Sequence, residues 1–319
     1  MPEGVLTGRD RMLKALRFEQ PDRPPHFEAM FELEHEAFGL RFPDRNSWAG
    51  MSARDKAAAI DACMEIYGRI IDRYRWDALA VYWPWSDPDG VAAAAKAFGR
   101  RVLVGGMVGE GVWSIEHISD WEQFAVDLAD APHKLHEQAR IWCDAAITRI
   151  DRLIDAGADF LYLPNDVAFN AGPFISPACF AELVAPYWAR QVRHVRDRGK
   201  IAFIHTDGQI MPILDQLVGL GAHCLQSIDP MAGVDIAQVK RLTHGKLALM
   251  GNVQCNLLQD GPREAIRKSA MYCLQHASVG GGYVFGTSNT VFPGMPLEHY
   301  EYMLDVFDEF NRGRSPQGA

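Results

Sequence analysis

The 319-residue sequence has no C-x-x-C pair, no apolar run of membrane-spanning length and no excess of basic charge. Each absence removes a class of protein. The six cysteines lie far apart, at 63, 143, 179, 224, 255 and 273, so neither a zinc ribbon nor a dithiol redox motif is written here. Cysteines dispersed in this way fit a reducing compartment. Acidic residues outnumber basic ones, 41 to 32, and the net charge of −9 argues against a nucleic-acid surface. The opening MPEGVLTGRDRMLKALRFEQ lacks the apolar stretch of a signal peptide. No segment is apolar for long enough to span a bilayer. The expectation is a cytoplasmic protein with no membrane contact. There is no fixed-period repeat and no Pro/Gly/Ser-rich linker, so a single domain over 1–319 is expected. The glycine run at 280–282 precedes a strand pattern rather than opening a helix, which excludes a dinucleotide phosphate loop.

What the sequence does have is alternation. Short apolar runs that read as buried strands occur at 25–30, 77–83, 100–106, 159–166, 200–208, 223–229, 246–252 and 282–289. Amphipathic stretches lie between them. The one at 52–74 starts at Ser52, a natural N-cap, and the one at 131–157 ends at Gly157. The stretch 176–199 opens with Ser-Pro and closes on Gly199. Segments at 209–221 and 263–277 complete the pattern. Strands alternating with helices imply a parallel sheet. Eight such units predict an α/β fold of the TIM (β/α)₈ barrel type, with a doubly wound open sheet as the other arrangement. The segment 84–130 reads as irregular, an insertion over the barrel mouth.

Barrel active sites sit where the strands end. The expected strand ends carry Tyr82 and Trp83 (followed by Trp85 and Asp87), Asn165 and Asp166, His205 and Asp207, Gln226 and Asp229, Asn252 and Gln254, and Ser288 and Asn289. His205 and Asp207 are one residue apart on an extended segment, so their side chains share a face. They form either two ligands of one metal ion or an acid/base pair. The plain structural alternative is a histidine bonded to a neighbouring carbonyl beside a helix-capping aspartate. Asp166 ends the neighbouring strand and is a third ligand, a general base or a turn residue.

Several segments resemble the uroporphyrinogen decarboxylase superfamily. They are NDVAFNAGPFISPACFAELVAPYWARQVRHVRDRG, FIHTDG, LGAHCLQSIDPMAGVDIAQVK, LALMGNVQC and GGGYVFGTSNTVFPGMPLEHYEYML, with the opening RMLKALRFEQPDRPPHFE. The resemblance implies a TIM barrel and one of two chemistries. The decarboxylase branch needs no cofactor and holds substrate carboxylates with an N-terminal Arg-Gln-x-Gly-Arg stretch. Here that region reads HFEAMFELEHEAFG, with Glu28, Glu32, Glu34 and Glu36 and no arginine. The corrinoid-linked methyltransferase branch binds zinc through His-x-Cys and a later cysteine, and the zinc turns a thiol into a thiolate nucleophile. His205 matches that histidine. Asp207 stands at the first cysteine, and Asn289 falls near the second.

The remaining candidates are read in that frame. Asn252, Gln254 and Asn289 are amides suited to binding substrate oxygens. Tyr82 and Trp83, with Trp85 and Trp113, form either a flat substrate- or corrin-facing wall or ordinary core. Cys255 reads as a small buried hydrophobe. The Glu28/Glu32/Glu34/His35/Glu36 group reads as a solvated helix face with one member turned inward. The leading expectation is a methyltransferase that moves a methyl group between a small methyl ether or methylamine-type substrate and a partner corrinoid protein. Catalysis would fall to His205, Asp207 and Asp166, with a divalent metal, zinc first, on His205 and Asp207. Methylcobalamin would come on the partner, because nothing in the chain resembles a cobalamin-binding domain. The alternatives are a cofactor-free decarboxylase of another carboxylic acid, with Arg41 and Arg45 as anchors, and a non-catalytic binding barrel. The resemblance further implies a homodimer.

Overall fold

The computed structural model describes residues 6–84 and 87–313, so Trp85 lies outside the described residues. Its centre is a curled sheet of seven parallel strands. In chain order the first three are β1 (Ala78–Val81), β2 (Leu103–Met107) and β3 (Phe160–Pro164). A short antiparallel hairpin, β4 (Ala168–Phe169) and β5 (Gly172–Pro173), follows. The sheet continues through β6 (Ile201–Thr206), β7 (Cys224–Ser227), β8 (Ala248–Val253) and β9 (Tyr283–Thr287). Neighbours run in the order β1-β2-β3-β6-β7-β8-β9. Helices cover the outer face, so the strands are buried on both sides, which is why they read as apolar runs that turn polar only toward their C-terminal ends.

The segment expected as the first strand behaves differently. It makes isolated parallel bridges, His26 to Phe285 and Phe31 to Val291, and no ladder. Even so it touches both edges of the sheet. The Phe285 N–H donates to the Pro25 carbonyl and the Asp77 N–H to the His26 carbonyl, each at 2.8 Å. Two causes interrupt the pairing. Pro24 and Pro25 have no N–H to give. Glu28 then places its carboxylate on the Thr287 N–H, at 3.0 Å, where a strand would offer a carbonyl. The base of the segment is pinned by charge. Buried Asp77 accepts from Arg11 and Arg23, both at 2.7 Å, and from the His26 N–H.

Aromatic rings fill the interior in layers. Phe27, Phe160 and Phe203 meet with centroids 5.1 to 6.1 Å apart. Gly105 makes room for them, since a Cβ there would stand 2.6 Å from the Phe160 ring. Tyr162 lies over Phe203 and leads up to His205. These rings fill the interior beneath His205.

The helices follow their caps. Ser52 caps Ala53–Tyr74 through the Asp55 N–H, and Ser176 caps Pro177–Leu183 through the Cys179 N–H. The expected helix over 176–199 is broken at Val184 and resumes as Ala185–Asp197. Pro186 explains the break, because it lacks an N–H and its ring crowds the preceding turn. The segment 84–130, expected to be irregular apart from the strand at 100–106 that becomes β2, carries two regular helices, Pro88–Phe98 and Trp121–Asp130. Each is N-capped by an aspartate, Asp87 or Asp120, a start signal that the irregular reading overlooked. Among the described residues no helix is long and apolar enough to cross a membrane.

Candidate functional site

Strand register builds the site. Pro164 on β3 pairs with His205 on β6, and His205 pairs with Gln226 on β7. Paired residues in a parallel sheet share a face, and side chains repeat every second residue. Asp166 and Asp207 are each two residues beyond the Pro164–His205 pair, so both rise above it on the inner side. His205 Nε2 lies 3.5 Å from Asp166 Oδ1 and 3.9 Å from Asp207 Oδ1. The Asp207 N–H reaches back to Asp166 Oδ1 at 3.3 Å.

The other side of the imidazole is fixed by an amide. Gln226 Nε2 donates to the Asn289 carbonyl at 2.9 Å, which orients the side chain and leaves Oε1 as the acceptor. Oε1 takes the Tyr162 hydroxyl at 2.6 Å and His205 Nδ1. Nδ1 therefore carries the proton, and Nε2 is the atom presented to the two carboxylates. Asn289 also donates through Nδ2 to Asp207 Oδ2, at 2.5 Å.

Asp207 is pushed above the ordinary carboxylate range. Burial is the main cause, His205 pulls the other way, and the nearby Asp166 and Asp229 add to the rise. Behind it, Gly208 has φ +84° and lies flat against the β4–β5 hairpin. A Cβ there would be 2.3 Å from the Ala168 carbonyl oxygen, so the sharp turn after Asp207 requires glycine.

A cavity of about 450 Å³ opens over Asp166 and His205, lined also by Tyr162, Asn289, Asn165 and Arg149, while Asp207 lines an adjoining cavity of about 390 Å³ that shares Asn289 and Thr290 with it. Asp166, His205 and Asp207 offer donor atoms all within 4.8 Å of one another. Ligands about 2.0–2.2 Å from a shared ion stand at separations of this order. The one nitrogen and two carboxylate donors fit a divalent cation of the zinc, iron, manganese or magnesium group, with a position left for a substrate atom. The thiolate ligands of the methyltransferase pattern are replaced: Asp207 supplies oxygen, and Asn289 bonds to that aspartate.

Other expected site residues lie elsewhere. Tyr82 is fully buried and donates to the Phe31 carbonyl at 2.7 Å. The Trp83 N–H donates to the Tyr67 hydroxyl, and its ring packs on Trp48. β1 ends at Val81, and in the turn beyond it Tyr82 packs on Tyr67 and Phe42 and Trp83 on Trp48, so that neither lines the 450 Å³ cavity. Trp113 packs on Trp142 and donates to the Leu135 carbonyl. Asn252 bonds the Ile228 carbonyl and accepts from Cys273. With Gln254 it lines a different groove of about 470 Å³, beside Ile236 and Ala265, so the structure separates both amides from His205. Cys255 is buried, and burial raises its thiol pKa. Of the acidic group, Glu28 is the member turned fully inward. Arg45 pairs with Glu32 at the surface. Arg149 and Tyr162 belong to the cavity wall without having been expected there. Arg149 is on an outer helix, and Tyr162 is inside an apolar strand, where neither position signals a site.

Fold and site together define a TIM-barrel-like α/β protein whose polar cluster lies at the C-terminal ends of its strands, where enzymes of this architecture work. The chain belongs to the uroporphyrinogen decarboxylase family: the family model described as Uroporphyrinogen decarboxylase (URO-D) matches residues 89–310. It is similar to methylcobamide:CoM methyltransferase MtaA of Methanosarcina barkeri, with 26% identity over 65% of this chain and 58% of that protein. The chain thus matches little more than half the length of that relative. It is also similar to uroporphyrinogen decarboxylase of Anaeromyxobacter dehalogenans (strain 2CP-C), with 27% identity over 73% of this chain and 67% of that protein. Among solved structures, a methyltransferase from Methanosarcina mazei superposes with a TM-score of 0.74, covering 96% of this chain and 99% of that one at 17% identity. That likeness concerns the fold.

Proposed function

We propose that this protein is a corrinoid-linked methyltransferase that demethylates a small substrate in the 450 Å³ cavity. We read the segment 25–31 as the eighth stave of a closed barrel around it. The observation that carries the reading is His205 Nε2, turned by Gln226 toward the oxygens of Asp166 and Asp207. Two carboxylates and a neutral imidazole sum to two negative charges, which a divalent cation would balance. A cation bound there would polarise the leaving heteroatom of the methyl donor as a Lewis acid. The chain's own residues supply orientation. Gln226 fixes the imidazole, Asn289 holds Asp207, and the packed aromatic floor keeps water out from below. The methyl group would pass to or from a partner corrinoid protein.

Decarboxylation of a tetrapyrrole polycarboxylate fits less well. Among the described residues Arg149 is the one arginine or lysine lining the cavity, against Glu110, Glu116 and Asp166. The test is metal content by plasma mass spectrometry on protein purified without chelator, beside His205→Ala and Asp207→Ala. Near-stoichiometric metal in the parent, lost in both folded variants, is the expected result, followed by methyl transfer to a corrinoid protein. Metal-free parent protein would sink the metal reading and favour a cofactor-free carboxy-lyase.

A further inference from the structure

Arg149 reaches the cavity from outside the sheet. It belongs to the helix Pro132–Asp155, and its guanidinium crosses to the loop after β2, where Nη2 donates to the Gly109 carbonyl at 2.7 Å. That carbonyl is its only hydrogen-bond partner among the described residues, although a guanidinium has five N–H donors. No carboxylate among the described residues forms an ion pair with it, even though Glu110, Glu116 and Asp166 line the same cavity. On the outer face of the same helix, Arg140 does pair, with Asp144. A half-buried guanidinium tied by one bond to a mouth loop and otherwise uncommitted is a prepared anion receptor.

A second observation lies on the same wall. Asn165 lines the cavity and is 5% exposed, and neither its amide nitrogen nor its amide oxygen has a hydrogen-bond partner among the described residues. Buried polar atoms without partners are rare, and an ordered water or a ligand can satisfy them. Between these groups the wall is apolar: Ala29, Met30, Met107 and Pro164. Glu110 and Glu116 are exposed at the rim. They disfavour a second or third negative charge outside, while solvent screens them from a single charge bound further in.

We infer that the cavity takes a small monocarboxylate, with its carboxylate on the Arg149 fork and Asn165 and its apolar body against the methionines. The inference rests on the functional reading only in taking this cavity as the substrate site. Its volume lies within the range of roughly 300–1,000 Å³ typical of small-molecule pockets.

The test is calorimetric titration with three probes of one size: benzoate, benzyl alcohol and benzylammonium. It uses the full-length protein with and without added zinc, and the variants Arg149→Gln, Arg149→Lys and Asn165→Ala. Unfolding midpoints check that each variant is folded. Benzoate is expected to bind the parent at least about tenfold more tightly than the other two probes. Arg149→Gln should cost benzoate about tenfold and leave benzyl alcohol unchanged, and Asn165→Ala should cost benzoate a smaller factor. Arg149→Lys, which keeps the charge and loses the fork, should fall between parent and Arg149→Gln. Benzylammonium binding as tightly as benzoate, no benzoate binding by folded parent, or benzoate affinity indifferent to Arg149 would each overturn the inference. Metal content on the same samples separates the two readings. Arg149-dependent benzoate binding in a protein that takes up no metal defeats the methyltransferase proposal and leaves this one. Metal-dependent methyl transfer without discrimination among the probes does the reverse.

Discussion

The wall made by β3, β6 and β7 and the seam between residues 25–31 and β9 both hold acidic side chains at strand ends, and they use them in opposite ways. On the wall, Asp166 and Asp207 keep about a third of their side-chain surface open and face His205. In the seam, Glu28 is fully buried with no ion-pair partner among the described residues, and burial lifts its pKa to about 8 against the bonds it accepts from Thr287. The wall carboxylates open on cavities, whereas Glu28 is packed against Thr287 and lines neither of them. A carboxylate poised for chemistry needs a counter-charge and space. One that has neither becomes a protonated strut that replaces a missing strand ladder. This contrast, rather than burial alone, separates site from scaffold here.

Charge removal in the seam should give the largest stability effect. The Glu28 carboxyl titrates at about 8 in the fold and near 4.5 when free. Between those values folding takes up a proton. The stability it contributes is therefore complete below 4.5 and lost as pH rises through 8. Glu28→Gln mimics the protonated acid. It should match the parent at about pH 5 and exceed it by as much as ~4 kcal/mol at about pH 9, as read from urea midpoints. Parallel pH profiles for the two proteins would mean that the seam carboxyl is ionised and partnered after all. Next in size is Gly208→Ala on the wall. It forces a Cβ into the Ala168 carbonyl at a left-handed backbone position and should cost ~3 kcal/mol with no pH dependence. An Ala168 region that yields freely, giving a loss well under 1 kcal/mol, would show the hairpin is not the rigid backing the wall requires.

The wall was legible in the sequence because its information is local. Apolar runs end in His205, Asp166 and Gln226, and alternation alone puts Asp207 beside His205. The seam was only half legible. Residues 25–30 have strand-like composition, but Pro24, Pro25 and the inserted Glu28 carboxylate replace the ladder with isolated bridges. Arg149 could not be read at all. It has the pattern of a helix surface residue, and only its long side chain, crossing a layer to Gly109, brings it to the cavity. Tyr82 and Trp83 show the complementary limit. A strand end followed by aromatics looks the same whether the turn folds them over the mouth or, as here, under Tyr67. Direction after a strand ends is a property of the turn and its packing, which a linear pattern does not record.

The smallest effects give the sharpest comparison, because the same deletion can be made in each place. Tyr162→Phe removes one of two donors to Gln226 Oε1, and Thr287→Val removes one of the donors to the Glu28 carboxylate. Each loses one hydroxyl hydrogen bond and should cost ~1 kcal/mol in the unfolding midpoint. Beyond stability they should part. In Tyr162→Phe, Gln226 is held less firmly and so is the imidazole it orients. Zinc affinity should fall by about tenfold, the size seen when an outer partner of a ligand is lost. In Thr287→Val zinc affinity should not move. The Glu28 carboxyl instead loses a bond that favours its charged form, so its titration shifts further upward and the parent's pH-dependent loss of stability moves to higher pH. If Thr287→Val weakened zinc as much as Tyr162→Phe, seam and wall would be one coupled network. The division of labour between strut and site would then have to be given up.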